Sequence, residues 1–217
     1  MQQRTCLSAA AVLIRKGPVL NRPTLIILAA LMAFLLTGAA ADTPSAQNSE
    51  QGQQPISGPA GYDQSVVEPY ARSIGASSYL MEAIPYYYDI APQAGIRPEV
   101  LIAQSIVETG AGHYGGDSQP YNMAGIKKGG DVGDAPQDFE RPATAYEGVR
   151  MHVNHMAAYA GKQPVGTPHE RYYDARGAQQ ARGYRVTQVE ELGAGTWATD
   201  SSYSPKIAGH LDAMASY

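Results

Sequence analysis

The chain holds one cysteine, Cys6, in 217 residues. A single thiol cannot form an internal disulfide, and this one lies near the N-terminus, so a disulfide-stapled scaffold and a Cys-based nucleophile in the body of the chain are both excluded. Long apolar runs are also missing. The longest, residues 25–36, falls short of the roughly 20 residues a membrane-spanning helix needs. Basic charge is scarce: 16 Lys and Arg stand against 20 Asp and Glu. Four of the basic residues (Arg4, Arg15, Lys16, Arg22) precede Asp42, the first acid, so 16 less four leaves 12 basic against 20 acidic residues beyond it. A body near −8 gives no reason to expect nucleic acid or an anionic membrane surface as partner, because both reward clusters of Lys and Arg.

The N-terminal features present belong together. Basic residues lead into the short apolar run, and Ala39, Ala40 and Ala41 follow it. A basic flank, an apolar stretch and a small-residue site have the form of a secretory signal peptide over residues 1–41. An uncleaved membrane anchor is the alternative, and membrane association is expected only in that case. Residues 42–61 are rich in Gln, Ser, Pro and Gly and nearly devoid of large apolar side chains, the composition of a disordered linker. One domain, residues 62–217, is expected to follow.

Within it, Ser77 and Ser78 are candidate caps for a helix through Leu80, Ala83, Ile84 and Tyr87, which Pro85 should interrupt or kink. Pro98 fits the first position of a second helix with a wide apolar stripe (Val100, Leu101, Ala103, Ile106, Val107) and a stop at Gly110. Residues 122–138, rich in Gly and Asp, read as a loop or short hairpin. Val149, Val153, Met156 and Ala157 recur at helical spacing over residues 146–160. Thr187 and Glu190 have the spacing of a capping box, and a last helix is expected over residues 204–214. The fold class is α+β, mainly α, with a small irregular or β lobe between the second and third helices.

The residue that calls for explanation is Glu108. It ends an apolar helix and shares a strip of that helix with Leu101, Gln104 and Ser105. Partial burial and the negative end of the helix dipole both raise a carboxyl pKa. A raised carboxyl pKa is what a general acid needs near neutral pH. An ordinary solvated acid at a helix terminus is the other reading of the same position.

Three stretches in order, "AQSIVETGAG" (103–112), "YNMAGIKKGG" (121–130) and "WATDSSYSPKIAGHL" (197–211), resemble the signatures of the glycoside hydrolase family 73 glucosaminidase domain, and "FERPATAYEGVRMHVNH" (139–155) resembles the segment between them. The resemblance covers most of residues 79–214. It implies a lysozyme-like fold with a substrate groove beside the small lobe. It implies hydrolysis of the β-1,4 bond after N-acetylglucosamine in the glycan strands of peptidoglycan, outside the cytoplasm or in the cell wall. It makes Glu108 the acid that protonates the leaving oxygen, puts Asn122 at the groove, and lets Tyr203, three residues after Asp200, hold the substrate's N-acetyl group or steady the transition state. Asn122 as a turn cap and Tyr203 as core packing are the alternatives.

The chain departs from the family where many members carry a longer hairpin with a second acid. Only residues 127–138 separate Ile126 from Phe139. Asp134 and Asp131 are the first candidates for a second carboxylate and Glu140 the next; with none of them acting, the substrate's own acetamido group could attack the anomeric carbon. Tyr121, Gln104 and Trp197 are further candidates for contact with sugar, Tyr121 and Trp197 because aromatic faces pack on sugar rings. His152 and His155 have H-x-x-H spacing, but no third ligand accompanies them, so no metal and no cofactor are expected, and His152 reads as a buried residue bonded to backbone. The protein is expected to act as a monomer. A non-catalytic wall-binding protein, or a muramidase or lytic transglycosylase, is the competing reading.

Overall fold

Helix α3, Pro98–Thr109, is the centre of the fold. Val100, Leu101, Ile102, Ala103 and Ile106 are all buried, and so are Glu99, Gln104, Ser105 and Thr109. A helix apolar on nearly every side has to be enclosed by others, and each fully buried Leu or Ile there adds about 1.5–3 kcal/mol of transfer free energy. The computed structural model describes residues 53–115 and 119–217. The segment read as a signal peptide lies outside the described residues, as does the expected linker up to Gly52.

Around α3 stand α1 (Gln64–Ser73), α2 (Ser78–Ile90), α4 (Ala145–Tyr159), α5 (Glu170–Arg182) and α6 (Tyr203–Met214). Helices α2 and α6 pack on α3, α4 packs on α2, and α5 lies against α4. Pro98 occupies the first turn of α3, where its missing N–H costs nothing. Pro85 does not break α2, contrary to expectation. It lies on the exposed face, while Ala83, Ile84 and Tyr87 are wholly buried and hold the helix together. Ser77 precedes α2 without capping it. Its Oγ instead donates to the carbonyl of Gly112 at 2.6 Å, tying the start of α2 to the turn after α3. That turn needs glycine: φ at Gly112 is 82°, and a Cβ would lie 2.4 Å from Ser77 Oγ.

Three expectations need correction. The folded unit starts earlier than residue 62. Ile56 is fully buried, its N–H donates to Thr187 at 3.0 Å, and its carbonyl accepts from Arg97 N–H at 2.9 Å. Arg97 and the buried Glu99 form an ion pair at 2.7 Å, and Glu99 Oε1 also takes Gly61 N–H at 2.7 Å. One apolar anchor and one buried ion pair thus order a stretch whose composition alone would leave it loose. Second, the capping box at Thr187 is displaced by one residue. Glu191, not Glu190, receives Thr187 N–H at 2.6 Å and Gln188 N–H at 3.0 Å. Only a 3-10 turn follows, Val189–Glu191, because Gly193, Ala194 and Gly195 end it, the last two at positive φ. Third, no β-strand occurs among the described residues. Where a small irregular or β lobe was expected, the segment is irregular: a single bridge pairs Lys127 with Phe139, next to a 3-10 turn at Pro136–Asp138. Gly and Asp at this density supply no apolar alternation to stack a sheet. The described residues are mainly helical.

Candidate active site

Glu108 stands in the last turn of α3, and Gly110 ends that helix in the left-handed conformation at φ 58°. The carboxylate is partly buried, and its two oxygens differ in their partners. Its Oε1 accepts the Trp197 indole N–H at 2.8 Å and also the Tyr203 hydroxyl. Its Oε2 faces Gly125, where a Cβ would lie 3.9 Å away. Burial raises the pKa of Glu108, and the bonds from Tyr203 and Trp197 pull part of that shift back. With both donors on Oε1, the proton of the neutral acid sits on Oε2.

Both donors are held from behind. Trp197 packs its ring on Tyr159, with centroids 4.9 Å apart, and edge-on to His155 at 5.1 Å. Tyr203 is the first residue of α6 and is buried. Just before it, Asp200 accepts from Ser202 N–H at 2.8 Å and pairs with Lys206 at 2.9 Å. Lys206 and Ser202 hold the Asp200 carboxyl down to about 2. Burial, then the neighbouring Glu108 charge, push the Tyr203 phenol far up, so it stays a donor at any working pH.

Gln104 is placed differently from the expectation that it meets substrate. It is fully buried, and both ends of its amide are engaged by side chains: Nε2 donates to Tyr203 Oη at 2.8 Å, and Oε1 faces His152 Nε2 at 3.0 Å. His152 is likewise buried, but its partners are side chains rather than backbone, since Tyr87 Oη meets its Nδ1 at 2.7 Å. Burial, with the nearby His169, lowers the His152 pKa to about 3, so the imidazole is neutral. Tyr87 and His152 carry no motif that sequence reasoning could attach to the site; an imidazole and a phenol in otherwise apolar stripes were the only available signal.

Asn122 is also engaged internally. Its Oδ1 accepts Ile126 N–H at 2.8 Å, and its Nδ2 donates to the carbonyls of Ile126 at 2.8 Å and Glu140 at 3.0 Å. It is 1 % exposed, a brace for the loop that brings Gly125 to Glu108 rather than a side chain offered to a ligand. Tyr121 sits at φ 63° and donates to Glu82 at 3.1 Å, with its ring edge-on to Tyr79. Its carbonyl rests on Gly148 of α4, where a Cβ would come within 1.9 Å. Only glycine lets this loop lie against the helix.

The candidate second acids separate by environment. Asp134 is spent on Lys127 at 2.5 Å, with its side chain 88 % exposed. Asp131 is exposed as well, on the glycine-flanked turn. Glu140 is partly buried; its N–H donates to Ile126 O at 2.9 Å, and burial raises its pKa while Lys128 opposes the rise. It lines a cleft of about 230 Å³ together with Arg141, Arg150, Met151 and His169. Met151 packs with Ala124, Ile126 and Trp197, so that cleft adjoins the wall that carries Glu108's indole donor.

The family model described as Glucosaminidase, mannosyl-glycoprotein endo-beta-N-acetylglucosaminidase, matches residues 84–216. The matched span holds Glu108, Gln104, His152, Trp197 and Tyr203. No curated protein and no solved structure matches the chain.

Proposed function

The chain belongs to the glucosaminidase family of glycoside hydrolases, and from that premise we propose that it is an exported enzyme that cleaves the β-1,4 bond after N-acetylglucosamine in peptidoglycan, with Glu108 as general acid on a lysozyme-like fold. One observation carries the assignment. Glu108 is a partly buried carboxyl with two donors on Oε1 and, among the described residues, no hydrogen-bond partner on Oε2, which is turned toward Gly125. Glycine there leaves the space in which a glycosidic oxygen would approach. The Oε2 proton passes to that oxygen as the C1–O bond breaks, and the positive charge that develops on the sugar ring is met by the carboxylate left behind. Tyr203 and Trp197 then stabilise that carboxylate.

Water must reach the anomeric carbon from the other side. For an inverting route we place Glu140 ahead of Asp134 and Asp131 as the group that takes the water's proton. It is partly buried and tied by its backbone to Ile126, next to Gly125, whereas Asp134 is exposed and ion-paired with Lys127. Substrate assistance by the acetamido group is the second route, favoured by the solvent exposure of both loop aspartates. The overall assignment is tested by digesting purified peptidoglycan, reducing the products with borohydride and reading the new ends by mass spectrometry. Reduced N-acetylglucosamine ends support it. Reduced muramic acid ends would show a muramidase, and anhydromuramic ends a lytic transglycosylase.

A further inference from the structure

The hydrogen bonds behind Glu108 form a chain of one polarity. A neutral imidazole has one donor and one acceptor nitrogen. An ionised Glu108 can only accept, so Tyr203 donates to it and takes Gln104 Nε2 on its own oxygen; Gln104 Oε1 then accepts from His152 Nε2, and Tyr87 donates to Nδ1. Every hydrogen in the series Tyr87, His152, Gln104, Tyr203 points toward the carboxylate.

With Glu108 protonated, the opposite polarity fits the same heavy atoms. If Gln104 were turned over, its carbonyl would accept from Tyr203, and the phenol hydrogen would point away from Glu108. The tautomer of His152 decides between the two arrangements. We infer that His152 and Gln104 are positioning residues that fix the Tyr203 hydroxyl as a donor to Glu108 Oε1 and so keep the transferable proton on Oε2. The inference rests on the reading of Glu108 as the acid, and it adds two residues that touch neither substrate nor reacting atoms.

The surroundings leave this chain in control. Among the described residues, the groups that act on the Glu108 carboxyl are Tyr203 and Trp197, both neutral donors. Around His152 stand Tyr87 from α2, Gln104 from α3 and Trp197 with its ring centroid at 5.9 Å; His155 on α4 and His169 at the start of α5 are held neutral by burial, His169 at about 4. Arg150 and Arg171 act on His169 and His155, respectively. Tyr114 lies near Tyr87, and Tyr159 near Tyr203. Successive bonds in a low-dielectric chain also polarise each other, which strengthens the last donor.

The test reads the acid directly. The side-chain carboxyl of Glu108 is followed by carbon NMR in protein labelled with ¹³C-glutamate, its signal assigned by its loss in Glu108→Gln. His152→Phe removes the group that selects the amide orientation and should raise the Glu108 midpoint by about one pH unit, the scale of one charge-assisted bond. Tyr203→Phe should raise it at least as much, and the double variant no further than Tyr203→Phe alone. His152→Gln, which can accept from Tyr87 and donate to Gln104, should keep the wild-type midpoint. A folded His152→Phe protein with an unmoved midpoint would overturn the inference, and so would additive shifts in the double variant. If His152→Phe does not fold, Gln104→Met, which also takes the donor from Tyr203, carries the same comparison. The alkaline limb of kcat/KM should move with the NMR midpoint. If the midpoint moves and the limb does not, the positioning chain stands and the assignment of Glu108 as the acid falls.

Discussion

Acidification should destabilise this protein well above the pH at which ordinary carboxylates protonate. Four of the five histidines have lowered proton affinity, and His152 is the clearest case: fully buried, with its pKa near 3. In the unfolded chain the same imidazole titrates at about 6.5. A depressed folded value contributes stability that is fully present above the unfolded value and lost as pH falls toward the folded one. At pH 5 the unfolded chain holds that proton and the folded chain does not, which costs about 2 kcal/mol for His152 alone. His155 and His169 act with the same sign. Glu108 and Glu140 oppose them, because their raised values return stability as pH falls. Asp200 and Glu191, both lowered, lose theirs only below this window. Urea unfolding followed by the fluorescence of Trp197, the only tryptophan, measures the balance between pH 7.5 and 5. The net result should be a loss of stability, on the order of the roughly 2 kcal/mol that His152 contributes. His152→Gln should reduce the slope by about one proton, or about 1.4 kcal/mol per pH unit. A flat profile, or a slope unchanged in His152→Gln, would refute the buried neutral imidazole and with it the tautomer argument.

Gly148→Ala would drive a methyl to within 1.9 Å of the Tyr121 carbonyl. Overpacking of about 1–3 kcal/mol should outweigh the roughly 1 kcal/mol gain in helix propensity, and a thermal melt should show a lower Tm together with reduced activity as the Asn122 loop shifts. Glu99→Ala strands Arg97, whose side chain is 12 % exposed, and releases Gly61 N–H. A loss of about 3–5 kcal/mol in urea unfolding, with new protease cleavage around residues 54–61, is expected. Alanine at Glu140, Asp134 and Asp131 in turn separates the two routes for water. A loss of at least about 100-fold in kcat confined to Glu140→Ala supports the inverting route, and three active variants favour substrate assistance.

Helices α2, α3, α4 and α6 were legible because their signals are local, whereas α1 and α5, with only three buried residues each, were not. Pro98 at N1, the left-handed Gly110 stop and the apolar spacing of α4 each act within a turn or two. The acid was legible by position, since Glu108 stands at a helix end beside glycines. What sequence could not supply was the identity of partners brought together by packing. Gln104 looked like a groove residue because it shares a strip with Glu108, yet α6 and α4 close over it and turn its amide into a link. Asn122 looked like a ligand contact because the motif surrounds it, while its three hydrogen bonds go to its own loop and to Glu140. Ordering of residues 54–61 depends on a buried carboxylate some 40 positions away in sequence, Glu99. No local rule reaches that far.

The most direct test of the central claim is Glu108→Gln assayed on purified peptidoglycan. The amide keeps the size of the carboxyl and an oxygen for Trp197 and Tyr203, but has no acidic proton to give from Oε2. A loss of release of reduced N-acetylglucosamine ends by about 100-fold or more, in a protein with unchanged circular dichroism and unfolding midpoint, is the expected result. Turnover within a few fold of wild type would contradict Glu108 as the proton donor.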